Sequence, residues 1–265
     1  MSFFWIYDLP NWLLGMLMVL VFTGLAAAGL VASRPHVRRV FGPPPGHNDL
    51  VSYYLGAFGV FYGLTIGLIA VASWQNLADL DGLVNREAAA LRVLDRAVSW
   101  YPEPARSRLH RLLVVYVDYV IEQEWPAQAR GELPEGGSPL LADFGQALTA
   151  FEPATAGQQA LHAATLQALN HYVELRRERL FSVGTGLPEV VWWVLVFGAA
   201  LNILLTYLFA VERLGVHLLL TLALAAFVAM LVFLIAAMDH PFRGDFSVGP
   251  DAFRALRQQM PISIP

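Results

Sequence analysis

The sequence contains no cysteine, and all of its counted basic residues are arginine, with no lysine. The first absence excludes disulfides, thiolate metal sites and thiol nucleophiles. The second excludes Schiff-base and Walker-lysine chemistry. Charge is scarce too: 14% of residues are charged against 57% hydrophobic, with a mean hydropathy of +0.52. Such a balance belongs to a polytopic membrane protein rather than a soluble globule. A net charge of -4 and the lack of any basic stripe exclude a nucleic-acid partner. No Ser/His/Asp constellation, P-loop or zinc spacing is present, and the histidines are dispersed. We therefore expect no enzyme, no catalytic residue, no metal site and no cofactor.

What is present is a set of uncharged runs at 12–31, 50–78, 190–211 and 214–238, free of Asp, Glu and Arg. At ~1.5 Å per residue each is long enough for a ~30 Å hydrocarbon core. The first run lacks a basic leader and a small-residue cleavage site, so it reads as a retained span. Phe3, Phe4, Trp5, Tyr7 and Trp12 suit interfacial anchoring. The expected fold class is all-α: a polytopic membrane protein with four transmembrane helices and a helical extramembrane domain between spans two and three. The expected division is an N-terminal hairpin over 1–78, the domain over 79–187, a C-terminal hairpin over 188–238 and a tail over 239–265. Lipid is the first expected partner.

Span two organises the rest. Gly56, Gly59, Gly63 and Gly67 recur at steps of three and four, which puts them on one side of the helix as a packing face. Past Trp74 the pattern turns amphipathic, with Val84, Ala88, Leu91, Leu94 and Val98 set among Asp81, Arg86, Glu87, Arg92 and Asp95. No proline falls between Leu50 and Trp100, so the span is expected to continue as an extramembrane stalk until Tyr101-Pro102-Glu103-Pro104 stops it. His47, Asn48 and Asp49 precede the span. They read as an N-cap after the Gly42-Pro43-Pro44-Pro45-Gly46 breaker, in preference to a metal or anion site.

In the domain, a helix over 105–124 carries Leu109, Leu112, Leu113, Tyr116, Val117, Val120 and Ile121 at helical spacing, and Glu124-Trp125-Pro126 is expected to end it. A short helix is expected over 140–149, and a longer one over 155–181 presenting Leu161, Leu169, Tyr172, Val173 and Leu180. Its end carries Arg176, Arg177 and Arg179, a cluster that reads as a solvated or headgroup-facing surface, with an anion-attracting vestibule as the sharper alternative. Inside the spans, Asn202 reads as an interhelical hydrogen-bonding group and His217 as structural.

Several segments together resemble the bacterial and plant family of unknown function called bestrophin-like. They are His47-Asn48-Asp49, Trp74, the Arg86-Glu87-Ala88-Ala89-Ala90-Leu91 run, Glu124-Trp125-Pro126, Leu187-Pro188 with Trp192, and Asp239-x-Pro241-Phe242-x-Gly244. Ser52-x-x-Leu55-Gly56 and the Pro241-Phe242 pair also resemble segments of the bestrophins, which are pentameric anion channels. That resemblance implies a pore-lining role for Tyr53 and Ala57, with Phe61 and Leu64 further along the same face. It also implies inorganic ions as cargo and a homo-oligomer, a pentamer by analogy. Asp245 and Asp251 are isolated where bestrophins carry a dense acidic run, so calcium gating is not implied.

The leading functional expectation is an oligomeric anion channel of the bacterial inner (plasma) membrane, with span two lining a hydrophobic pore and continuing as a gating stalk. The rival is a non-conducting scaffold or sensor whose helical domain binds a partner or ligand. A small-molecule transporter ranks third, because the spans lack a central ionisable residue. Arg34, Arg38 and Arg39 favour a cytoplasmic first connection and an external domain, whereas the bestrophin resemblance implies a cytoplasmic domain.

Overall fold

The structure is a computed structural model that describes residues 9–40, 46–184 and 186–260. The aromatic residues before Asp8 and the proline breaker at 42–45 lie outside the described residues. The chain is helical: α1 (Asn11–Val40), α2 (His47–Val98), α3 (Ala105–Tyr119), a π-helical turn (Val120–Glu124), α4 (Trp125–Ala129), α5 (Gly137–Thr149), α6 (Ala156–Ser182), α7 (Glu189–Tyr207), α8 (Leu214–Asp239) and α9 (Asp251–Gln258). Helices α1, α2, α7 and α8 are long and apolar enough to cross a membrane, as the uncharged runs require. The chain divides into two compact units: one holds the spans, the other the described residues of 76–184, 241–243 and 247–260.

In the first unit the four spans pack through aliphatic side chains and a few aromatics. Ile66 of α2 meets Leu195 and Ala199 of α7 and Val228, Val232 and Ile235 of α8. Ala26 and Leu30 of α1 meet Ile203, Tyr207 and Ala225. Close approach is set by Gly198: a Cβ there would collide with the ring of Tyr62, whose hydroxyl donates to the Leu195 carbonyl at 3.2 Å. The glycine ladder of α2 behaves differently. Within one chain a Cβ at Gly56, Gly63 or Gly67 would meet nothing within 4 Å, and one at Gly59 would meet only Asn202 Oδ1 at 3.8 Å.

In the second unit, Leu80, Val84, Leu91, Leu94 and Val98 of α2 share one core with Leu109, Leu113, Tyr116 and Val117 of α3, Phe144 and Leu148 of α5, and Leu169 and Tyr172 of α6. The α6 stripe differs from the expected one, because Val173 is exposed while Thr165, Leu169, Tyr172, Arg176 and Arg179 are buried. The tail also departs from expectation. Phe242, Val248, Phe253, Leu256 and Met260 are part of this core rather than a separate segment. Arg257 grips Asp118 with nitrogen–oxygen distances of 2.5 and 3.2 Å.

The first helix runs through Pro35 to Val40. One further expectation is corrected. Glu124-Trp125-Pro126 does not end the third. A proline in an α-helix clashes with the carbonyl four residues back. Here the turn just before it is π-helical, and the Trp125 N–H donates to Val120 O, five residues back. The wider turn relieves the clash, and the chain stays helical through Pro126.

Gly198→Ala is expected to lower stability by about 1–3 kcal/mol, because the added methyl overpacks the Tyr62 seat. Gly24→Ala, with nothing within 4 Å of its Cβ, is expected to be neutral or mildly stabilising. Thermal unfolding of the two purified variants checks this; equal midpoints would contradict the tight α2–α7 seat.

Candidate functional site

Span two offers the site that sequence reasoning singled out. Tyr53 is 77% exposed, Phe61 74% and Leu64 64%, and Ala57 is exposed between them. These residues form an apolar face that its own chain leaves uncovered. The face contains no Asp, Glu, Arg or His, and Thr65 Oγ1 donates back to the Phe61 carbonyl at 2.8 Å. Asn202, expected to bond between helices, instead donates from Nδ2 to the Gly198 carbonyl on its own helix at 2.9 Å.

The His47-Asn48-Asp49 segment is not the N-cap expected of it. Asn48 spends its side chain on Ala210 in the α7–α8 turn, accepting from its N–H at 2.9 Å and donating to its carbonyl at 3.2 Å. His47 Nε2 lies 2.8 Å from Leu208 O. A carbonyl only accepts, so Nε2 carries the proton in that contact. His217 Nε2 bonds Thr206 O in the same sense at 2.8 Å. Arg34 donates to Val211 O and Glu212 O at 2.9 and 2.8 Å, with Arg38 beside it. Carbonyls at the end of α7 and in the turn beyond are thus capped by side chains of α1, α2 and α8. Asp49 remains in the first turn of α2, where a negative charge suits the helix dipole.

The second unit holds a buried ionic cluster that sequence reasoning missed. Arg179 has no exposed side-chain surface and forms a bidentate pair with Glu87, at 2.6 and 3.1 Å. It also reaches Glu124 at 2.7 Å and Gln128 Oε1 at 2.8 Å. Its guanidinium lies over the rings of Trp125 and Phe253, 4.8 and 5.8 Å from their centroids. Arg176 pairs with the other Glu124 oxygen at 3.1 Å. Two carboxylates and two guanidinia therefore balance. Beside them Tyr116 and Tyr172 share a hydroxyl–hydroxyl bond of 2.6 Å.

Arg176 and Arg179 are consequently not the solvated or vestibule-facing pair expected of them, because their charges are consumed inside the unit. Arg177 is exposed, stacked on Phe181 with its guanidinium 5.3 Å from the ring centroid. Burial works against the Arg179 charge, but Glu87 and Glu124 outweigh it and hold the guanidinium above the ordinary arginine value. Burial also pushes the Glu87 carboxyl up, against the charge and hydrogen bonds of Arg179. Both tyrosine hydroxyls are raised by burial and stay protonated.

The remaining motif residues are structural in their geometry. Asp239 Oδ1 accepts from the Leu187 N–H at 2.5 Å, and Oδ2 from Trp192 Nε1 at 3.3 Å, which ties the exit of α8 to the approach of α7. Pro241 O accepts from the Val248 N–H at 2.8 Å, and Phe242 meets Trp125 edge-on. Gly244 has φ +77°, a conformation that favours glycine. Among the described residues no group of His, Asp and Glu is placed to hold a metal ion.

Removing one member of the buried pair leaves the other uncompensated. Glu87→Ala and Arg179→Ala are each expected to cost about 3–5 kcal/mol. The double variant Glu87→Ala/Arg179→Ala is expected to lose less than the sum of the two single variants, although Glu124 and Gln128 still lose a donor. Denaturant unfolding of the three variants reads the coupling, and strictly additive losses would contradict it.

Comparison with known proteins bears on the whole chain. A model of the bestrophin-like domain matches residues 20–253. No curated protein sequence matches. Among solved structures, a bacterial bestrophin homologue from Klebsiella pneumoniae is similar at a TM-score of 0.69 and 13% identity, covering 92% of this chain and 96% of that one. A single-site variant of the same homologue gives 0.71 and 13%, over 93% and 97%. At this identity the likeness shows the fold, and the family model shows kinship: the chain belongs to the bestrophin-like family.

Proposed function

We propose that the chain is one subunit of an oligomeric, anion-conducting channel of the bacterial inner membrane. Tyr53, Ala57, Phe61 and Leu64 of α2 line a hydrophobic pore, and the extramembrane half of α2 serves as the gating stalk. The observation that carries this reading is the apolar face of span two, exposed along the single chain and free of charge. Sister subunits set side by side bring that face around a common axis. The open positions at Gly56, Gly63 and Gly67 then let neighbouring helices approach closely. An apolar constriction of this kind gates by dewetting. The resemblance to bestrophins supports the choice of anions as the cargo, and a pentamer follows only by analogy with bestrophins.

The second reading is a non-conducting sensor. A cleft of about 380 Å³ in the helical unit, lined by Pro102, Pro104, Arg108, Arg111 and Phe151, favours it. That volume is in the range of small-molecule sites.

The cysteine-free sequence makes the channel reading directly testable. Single cysteines at positions 53, 57, 61 and 64 are expected to react with a water-soluble thiol reagent, and the modification is expected to alter chloride flux in liposomes. Flux that is absent from an oligomer in every gradient, with all four positions inaccessible, would transfer the assignment to the sensor.

A further inference from the structure

The arginines of the membrane unit are distributed to one end of it. Arg34, Arg38, Arg39 and Arg213 are its only basic residues besides histidine, and all belong to the end of α1 or the α7–α8 turn. The stretches that approach the opposite end bring Glu189, Asp239 and Asp245, with Arg243, which belongs to the helical unit, between the last two in sequence. Arg34 and Arg38 share a helix face, and both hold the Val211 and Glu212 carbonyls, which places them next to Arg213. The acids here are Asp49 and Glu212, and neither forms an ion pair with these arginines among the described residues.

Donor capacity remains at this end. Arg34 and Arg38 each use Nη2 on the turn, and Arg34 Nε is buried with no acceptor. Arg39 and Arg213 are exposed and have no hydrogen-bonded or ionic partner among the described residues. A guanidinium presents five N–H donors in a fork that fits the oxygens of a phosphate. The depth also fits. The uncharged stretch of α1 closes near Val31, so Arg34 to Arg39 lie roughly 4–12 Å further along the helix axis. The headgroup layer reaches about 5–8 Å beyond the hydrocarbon on each face, so Arg34 lies within it and the long side chains of Arg38 and Arg39 turn back the remaining few ångströms to it.

We propose that this end of the bundle is a binding surface for the phosphates of anionic lipid headgroups, with Arg39 and Arg213 as the free cationic arms and Arg34 Nε as an inner donor. Its occupant is a lipid rather than a free phosphate, because the site adjoins an exposed apolar surface: Val31 is 53% exposed and Leu214 38%. An acyl chain covers that surface while its phosphate meets the arginines. The inference is independent of whether the protein conducts.

The test uses the full-length protein in nanodiscs of phosphatidylcholine alone or of an equal mixture with phosphatidylglycerol. The anionic lipid is expected to raise the unfolding midpoint by about 3 °C, and less so at high salt. Arg39→Gln/Arg213→Gln is expected to lose that rise while keeping the wild-type midpoint in phosphatidylcholine. Arg39→Lys/Arg213→Lys keeps most of the rise. Arg108→Gln/Arg111→Gln, which removes the same charge from the helical unit, keeps all of it. An equal rise in the Gln variant, no rise in the wild type, or loss of the rise in the Arg108/Arg111 control would overturn the proposal. So would the same rise from inorganic phosphate added to the detergent-solubilised protein.

Discussion

Arg179 faces Glu87 and Glu124 out of contact with solvent, with Arg176 nearly buried beside them, and this arrangement disciplines the whole helical unit. Taking an ion out of water costs several kcal/mol, recovered only where an opposite charge and good hydrogen bonds meet it. The four groups come from α2, the π-turn and α6, with Gln128 of α4 and Phe253 of α9 completing the shell. Sliding any one of these elements by a turn would strand a charge in the interior. Apolar packing alone tolerates such shifts far better, since hydrophobic attraction is non-directional. The cluster therefore selects one register among several that the leucine stripes would allow.

The broad architecture was legible because the membrane writes a strong signal: runs without charge have few other uses. The interior of the helical unit was less so, and the reason is specific. Arginine and glutamate on a helix are ordinarily solvated, so Arg176, Arg177 and Arg179 read as one surface. Spacing carried the correction in advance. Thr165, Leu169, Tyr172, Arg176 and Arg179 advance by four and three, as do Leu80, Val84, Glu87, Leu91 and Leu94. Each charged residue occupies a core position of its stripe, and Arg177 lies off it. Opposite charges at matching places on two stripes were the sign of a buried pair.

The ends of the spans show a related effect. Capping rules assigned Asn48 to its own helix, yet it serves the turn after α7, where carbonyls would otherwise stand bare near lipid. The same demand explains why α1 outlasts Pro35. Arg38 joins Arg34 at the Val211 and Glu212 carbonyls only if the helix continues in register past the proline. A local rule gives the preference of a residue for its own segment. The low-dielectric surroundings decide whether another segment needs that residue more.

The π-turn at Val120–Glu124 bears on how this chain tolerates changes in length. A π-turn holds one residue more than the α-helical turn it replaces, so deleting a single residue within it would restore ordinary winding and remove the relief at Pro126. Because the π-turn already accommodates that extra residue, everything downstream would keep nearly its present phase about the helix axis relative to α3. The same deletion in the regular part of α3 would instead turn Trp125 and Gln128 by roughly 100°, away from the guanidinium they now surround. Loss of one residue is thus felt at Pro126 when it falls in the π-turn, and at the buried ion pairs when it falls elsewhere in the helix.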